Sequence, residues 1–216
     1  MLRLVRAEAV RPVESTPPAA FVEAVETGGN DDAELVARTR HADTSAFESL
    51  YRRHAEFAFN LAVRVQGSSA DVEDIVHDAF LRAQEHLQEL RDSAAFRPWL
   101  GSIVVRLVRT RLRRRRLLGA LGLTAPEPVE IESLAAADAD PESRALLAQV
   151  YALLQTVPAD DRIAWTLRYV ERHRLETVAV MLQCSLATAK RRIARAQRFL
   201  ALHFVSPFAE SDDGAR

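Results

Sequence analysis

A single cysteine, Cys184, excludes an internal disulfide, and one thiol alone assembles no thiolate metal site. Glycine is scarce, with seven residues. Neither a glycine-rich phosphate loop nor a nucleophile beside a base occurs, so nothing argues for catalysis. No apolar run approaches the roughly 20 residues of a membrane-spanning helix. The first residues, with Arg3, Arg6, Glu8 and Arg11, lack the apolar stretch of a signal peptide. A cytoplasmic, non-enzymatic protein without cofactor is therefore expected. No segment alternates with period two for long enough to argue a strand, so the expected fold is all-α. The 216 residues, 48% hydrophobic and 27% charged, are enough to bury a core in one medium or two small domains.

The charges nearly cancel, 29 basic against 30 acidic residues, but they are segregated. Nine arginines (91, 97, 106, 109, 111, 113, 114, 115 and 116) lie between Arg91 and Arg116 against one acid, Asp92. Between Asp31 and Leu90 acids outnumber bases. Blocks of this kind create local fields that attract a polyanion although the sum is close to zero.

Proline and glycine divide the chain. Residues 1–30 read as a mobile N-terminal extension, 117–140 as a flexible acidic linker, and 206–216 as a tail. Two helical blocks remain, 31–116 and 141–205. In the first, Asp31 and Asp32 are placed to start a helix and Ser45 to cap the next. From about Asp71, the apolar residues Val72, Ile75, Val76, Ala79, Phe80 and Ala83 recur at i, i+3, i+4, i+7 and i+8. Asp71, Asp74, Asp78, Arg82 and Glu85 then share the opposite face. That stripe is either a protein-docking face or merely solvated, and His77 lies too far round the helix to complete a metal site. A further helix starts near Phe96 or Pro98 and runs through Trp99 into the arginines; proline is tolerated only in its first turn.

In the second block, a helix follows Pro141 and another begins near Asp160. Leu175–Leu182, the turn Gln183-Cys184-Ser185 and a last helix from Leu186 to His203 make a helix-turn-helix pattern, with Ser185 as N-cap. The last helix carries Lys190, Arg191, Arg192, Arg195 and Arg198 and no acid. Such a helix fits the DNA major groove, where cations donate to base edges or to phosphates. Position alone leaves both options open, along with a solvated basic face. Phe96 and Trp99 beside the arginine run fit a stacking platform for single-stranded nucleic acid. A core role for Trp99 fits equally well, and Cys184 reads as a small buried hydrophobe.

These stretches together resemble the RNA polymerase sigma factors of the extracytoplasmic-function (ECF) group, which keep two helical domains, sigma-two and sigma-four. The matching segments are DAELVARTRHADTSAFESLYRRH from Asp31, DVEDIVHDAFLRA from Asp71, FRPWLGSIVVRL from Phe96, and LRYVERHRLETVAVMLQCSLATAKRRIARAQRFL from Leu167. The resemblance implies a promoter-specificity subunit that binds core RNA polymerase and helps melt promoter DNA. Its partners would be the clamp of the largest polymerase subunit, the flap of the second-largest, duplex DNA, the melted non-template strand and an anti-sigma factor. Asp71, Asp74, Asp78, Arg82 and Glu85 would meet the clamp. Arg91, Ser93, Phe96, Arg97, Trp99, Arg106, Arg109 and Arg113 would hold the minus-ten strand. Ser185, Thr188, Lys190, Arg191, Arg192, Ala194 and Arg195 would face the minus-thirty-five duplex, and the acidic linker would mimic RNA charge. The two arginine-bearing surfaces are expected to sit apart. Arg106, Thr110, Gln183 and Ala187 depart from the usual pattern. The rival readings are a stand-alone helix-turn-helix regulator and a helical adaptor that binds no DNA.

Overall fold

A computed structural model describes residues 31–123 and 140–204. The expectations for residues 1–30, for most of the linker and for the tail lie outside the described residues. Eight α-helices occur within that range: α1 (31–40), α2 (Thr44–Gln66), α3 (Val72–Glu85), α4 (Phe96–Ala120), α5 (Pro141–Thr156), α6 (Ala159–Tyr169), α7 (Leu175–Met181) and α8 (Leu186–His203). Two single 3-10 turns, Leu87–Glu89 and Ser93–Ala95, connect α3 to α4. No strand is present among the described residues, as the missing period-two pattern implied.

The caps refine the expected boundaries. Helix α2 is capped by Asp43, not by Ser45: its Oδ1 accepts the amides of Ser45 and Ala46 at 3.0 and 3.2 Å. Hydrogen bonds from the Ser45 side, Arg38 and the Ala46 amide bring the Asp43 carboxyl down to about 2. Helix α4 carries on to Ala120, past the expected end at 116, because Leu117 and Leu118 extend the helix-compatible run until Gly122 turns left-handed at φ 70°. Asp140 and Ser185 cap α5 and α8, accepting the amides of Ser143 and Thr188.

Three helix ends share one closing geometry. At Ala42, Gly122 and Gln183 the φ angle is positive, and flanking amides reach back to carbonyls three and five residues earlier. Such paired bonds satisfy the last carbonyls of a helix. In the helix-turn-helix they are Gln183 N–H to Val180 O and Cys184 N–H to Ala179 O, both 3.0 Å. The three-residue turn is short because one left-handed residue completes it.

The two blocks do not stand apart. Leu50, Leu61, Val72, Phe96 and Leu100 of the first block and Ile163, Leu167, Val178, Met181 and Leu182 of the second form one continuous buried cluster. Helix α6 docks on α2 and α4, and α7 docks on α4. A Cβ added at Gly101 would lie 3.4 Å from each of Met181 Cε, Leu61 Cδ2 and Phe57 Cζ, so a glycine there lets α7 approach α4 closely. Polar contacts reinforce the docking at the end of α2. Tyr151 donates its hydroxyl to Arg64 O at 3.0 Å and Arg162 donates to Gln66 O at 2.9 Å, while Arg64 pairs with Glu171. The carbonyls at the end of a helix have no partner within it. Here the second block donates to two carbonyls in the last turn of α2. A smaller cluster of Leu154, Val157 and Leu200 joins α5 to α8.

Candidate nucleic-acid and polymerase interfaces

Helix α8 is amphipathic in the way its sequence implies. Ala189, Ile193, Ala196 and Leu200 are buried, and Lys190, Arg191, Ala194 and Arg195 are exposed on the other side. Trp165 of α6 donates to Gln197 at 2.7 Å and fixes the rotation of α8 about its axis. Thr188 faces the Ser185 hydroxyl at 2.9 Å and accepts from Arg191 at 3.4 Å, so the first turn is ordered by its own side chains. Lys190, Arg191 and Ala194 face outward, while Arg195 on the same side is engaged by Asp161.

The segment between α3 and α4 is held from a distance in sequence. Arg40, the last residue of α1, donates to Leu87 O at 3.1 Å, to Leu90 O, and to the Ser93 hydroxyl at 3.2 Å. A planar guanidinium suits this fork, because it serves several fixed acceptors at once. Arg91 is exposed at the tip. Arg97 lies over the Phe57 ring at 4.4 Å, a cation–π contact that leaves the residue exposed. Phe96 requires a correction. It is fully buried, with its ring 5.3 Å from that of His54 and 6.0 Å from that of Trp99, and cannot stack on a base. Its apolar ring completes the core beneath the loop. Trp99 is half-buried against the same core. Arg106 is exposed on α4, one turn before Thr110, whose hydroxyl donates to Arg106 O.

Farther along α4 the cations turn toward the second block. Arg109 donates through Nε and Nη2 to the two carboxylate oxygens of Asp160 at 2.7 and 3.0 Å. Arg113 and Arg192 donate to Asp160 Oδ2 at 2.7 and 2.6 Å, and Arg195 donates to Asp161 at 2.8 Å. Burial pushes the Asp160 carboxyl up, but the Arg109 hydrogen bond and the charges of Arg109, Arg192 and Arg113 outweigh it and hold the carboxyl below its ordinary value. The same bond raises Arg109 against the opposing effect of its burial. Residues assigned to two separate DNA surfaces thus meet on one carboxylate.

On α3, Asp74, Asp78, Arg82 and Glu85 are exposed along one face, as the spacing predicts. Asp71 does not belong with them. It precedes the helix at φ 56°, and its carboxylate pairs with Arg111 and Arg115 of α4. Those pairs tie the start of α3 to α4 and engage the charge of Asp71.

Comparison with known proteins settles the family. Residues 50–117 match Sigma-70 region 2 and residues 147–200 match Sigma-70, region 4. The RNA polymerase sigma-H factor of Pseudomonas aeruginosa is 31% identical over 173 residues, covering 77% of this chain and 90% of that protein. The ECF RNA polymerase sigma factor SigM of Mycobacterium tuberculosis is 32% identical over 188 residues, covering 86% and 92%. The chain belongs to the ECF group of the sigma-70 family. Its fold matches two solved sigma structures. CnrH in complex with the cytosolic domain of CnrY superposes with a TM-score of 0.53 at 24% identity, covering 80% of this chain and 96% of that one. RpoE from Bartonella quintana, in complex with the anti-sigma factor NepR, gives 0.56 at 19% identity, covering 72% and 94%.

Three residues of this sigma factor with evident roles were not singled out in the sequence. Asp160 and Asp161 follow Pro158 as ordinary first-turn acids, favoured by the helix dipole, and no local pattern marks their partners. Arg40 ends a helix and binds a loop about fifty positions later. Its signal is spatial, with no counterpart in the local pattern.

Proposed function

We propose that this sigma factor directs core RNA polymerase to a two-part promoter and assists strand opening, with three of its surfaces dividing the work. Asp74, Asp78, Arg82 and Glu85 of α3 dock on the polymerase clamp. Arg91, Ser93, Arg97, Trp99, Arg106, Arg109 and Arg113 hold the melted non-template strand near minus ten, and Ser185, Thr188, Lys190, Arg191, Arg192, Ala194 and Arg195 approach the duplex near minus thirty-five. The acidic linker between the domains takes the path of nascent RNA. Both structural neighbours were solved bound to another protein, and an anti-sigma partner belongs to the reading. The protein acts in the cytoplasm and catalyses nothing itself; captured bases offset an unstacking cost of a few kcal/mol.

The observation that carries the reading is the orientation of α8. Its apolar residues lock into α6 and α7 while Lys190, Arg191 and Ala194 face outward, in a chain that also matches sigma region 2. Run-off transcription with purified core polymerase on a pool of genomic fragments tests it. Discrete transcripts that require the chain are expected. Their absence, with polymerase that is active with another sigma factor, rejects the reading.

A further inference from the structure

Four of the cations that the proposed function assigns to DNA are already engaged. Arg109 and Arg113 come from the minus-ten helix, Arg192 and Arg195 from the minus-thirty-five helix, and all four end on two carboxylates at the start of α6. Asp160 Oδ2 alone receives three guanidinium groups. Arginine forks bind phosphate oxygens in the same way. We propose that Asp160, seconded by Asp161, is an internal phosphate mimic: it occupies the DNA-backbone sites of both arginine-bearing helices at once and keeps the free chain weakly binding.

The geometry favours competition over a purely structural pair. Asp160 is nearly enclosed, its side chain 13% exposed, but Arg113 and Arg195 are each more than half exposed. Their outer edges face a cleft of about 280 Å³ lined by Arg113, Arg116, Asp160, Asp161, Arg192 and Arg195. An incoming strand can approach through this cleft and exchange its phosphates for the carboxylates. The four paired guanidiniums exceed the two carboxylates by two charges, so the cleft stays attractive to a polyanion while closed. Apolar docking of α6 and α7 on α4 holds the domains together independently, and Asp160 therefore sets how many cations are available. Opening on a polymerase separates Arg109 and Arg113 from Asp160, whereas Arg192 and Arg195, which share the second block with Asp160 and Asp161, are freed only when phosphates displace the carboxylates. The inference rests on the reading that these arginines contact DNA.

The test compares the full-length chain with Asp160→Asn, Asp160→Glu and the charge-matched control Glu34→Gln, an exposed residue of α1. Binding of a mixed-sequence fluorescent duplex and of a single strand is titrated over a range of salt concentrations, with folding checked by circular dichroism. Asp160→Asn is expected to bind about fivefold or more tightly than wild type, with a steeper salt dependence as additional phosphates are neutralised. Asp160→Glu, which keeps the charge, should remain near wild type, and Glu34→Gln should show only the small gain due to net charge. Equal binding by Asp160→Asn and Glu34→Gln overturns the mimic. So does a large gain in Asp160→Glu, because the site would then depend on fit and not on charge. Run-off transcription by wild type is measured in parallel. Transcription with no Asp160→Asn effect rejects the mimic alone. Tighter DNA binding without transcription supports the mimic and rejects the promoter reading.

Discussion

Single residues carry information here through geometry that composition hides. Ala42 and Gln183 take the left-handed conformation at helix ends, with φ 64° and 50°, where glycine avoids the Cβ clash. Replacing either by glycine should stabilise the fold by up to about 1 kcal/mol, the relieved strain exceeding the entropy added to the unfolded chain. Urea titration checks this, and a fall in stability at either site would show that the residue's other contacts matter more than its φ. Arg40 is the opposite case, a residue with no local signature whose side chain secures Leu87 O, Leu90 O and Ser93. Arg40→Ala leaves those acceptors short of a donor and should cost about 1–3 kcal/mol. It should also weaken single-strand capture, because Arg91 and Ser93 lose their support. If strand binding stays at wild-type level while stability drops, Arg40 serves the fold alone.

At the scale of elements, the sequence is most legible where one face of a helix meets one core. The apolar spacing in α3 and α8 located both helices and both exposed faces, because an i, i+3, i+4 stripe has one way to be buried. Helix spacing misplaced Asp71, and the pairing of aromatics with the arginine run misplaced Phe96; both lie at helix starts, where the next element decides the environment. Phe96 sinks under the loop, and Asp71 turns back to Arg111 and Arg115. Asp74→Lys with Asp78→Lys should therefore lower polymerase affinity by about tenfold or more, leaving DNA binding by the free chain intact, since reversed charges at a complementary face repel. A pull-down titration with core polymerase decides it, and unchanged affinity removes α3 from the clamp interface. On α8, Arg191→Ala should reduce discrimination among promoters by about 1–3 kcal/mol if Arg191 reads a base edge. A uniform loss across all sequences would instead assign it to phosphate.

For the whole molecule, the joining of the two blocks was not legible from the chain. Ile163, Leu167 and Met181 look like residues of a small separate domain, and nothing nearby tells that they complete the core beneath α2 and α4. Nor does the run Pro158-Ala159-Asp160-Asp161 show that its acids face arginines about fifty residues upstream and about thirty downstream. Long-range pairing is set by the shape of two finished units, which a local window does not contain. Two ion-paired carboxylates, Asp32 within the first block and Asp160 between the blocks, have a consequence for acid stability. Asp32, buried and hydrogen-bonded to His54 at 3.0 Å and Arg53 at 2.9 Å, and Asp160 both lie below the ordinary value of 3.8, because in each case the partners outweigh the upward push of burial. A carboxyl lowered on folding binds its proton more readily when unfolded. Its contribution is complete above 3.8 and is lost as pH falls through the lower native value. The free energy of unfolding should thus hold level with respect to these two groups above about pH 5 and decline below about pH 4. Asp32→Asn and Asp160→Asn should each be less stable than wild type at neutral pH but decline less steeply in acid. Urea titrations across that range would show it; acid slopes identical to wild type in both variants would mean that other carboxylates drive the loss.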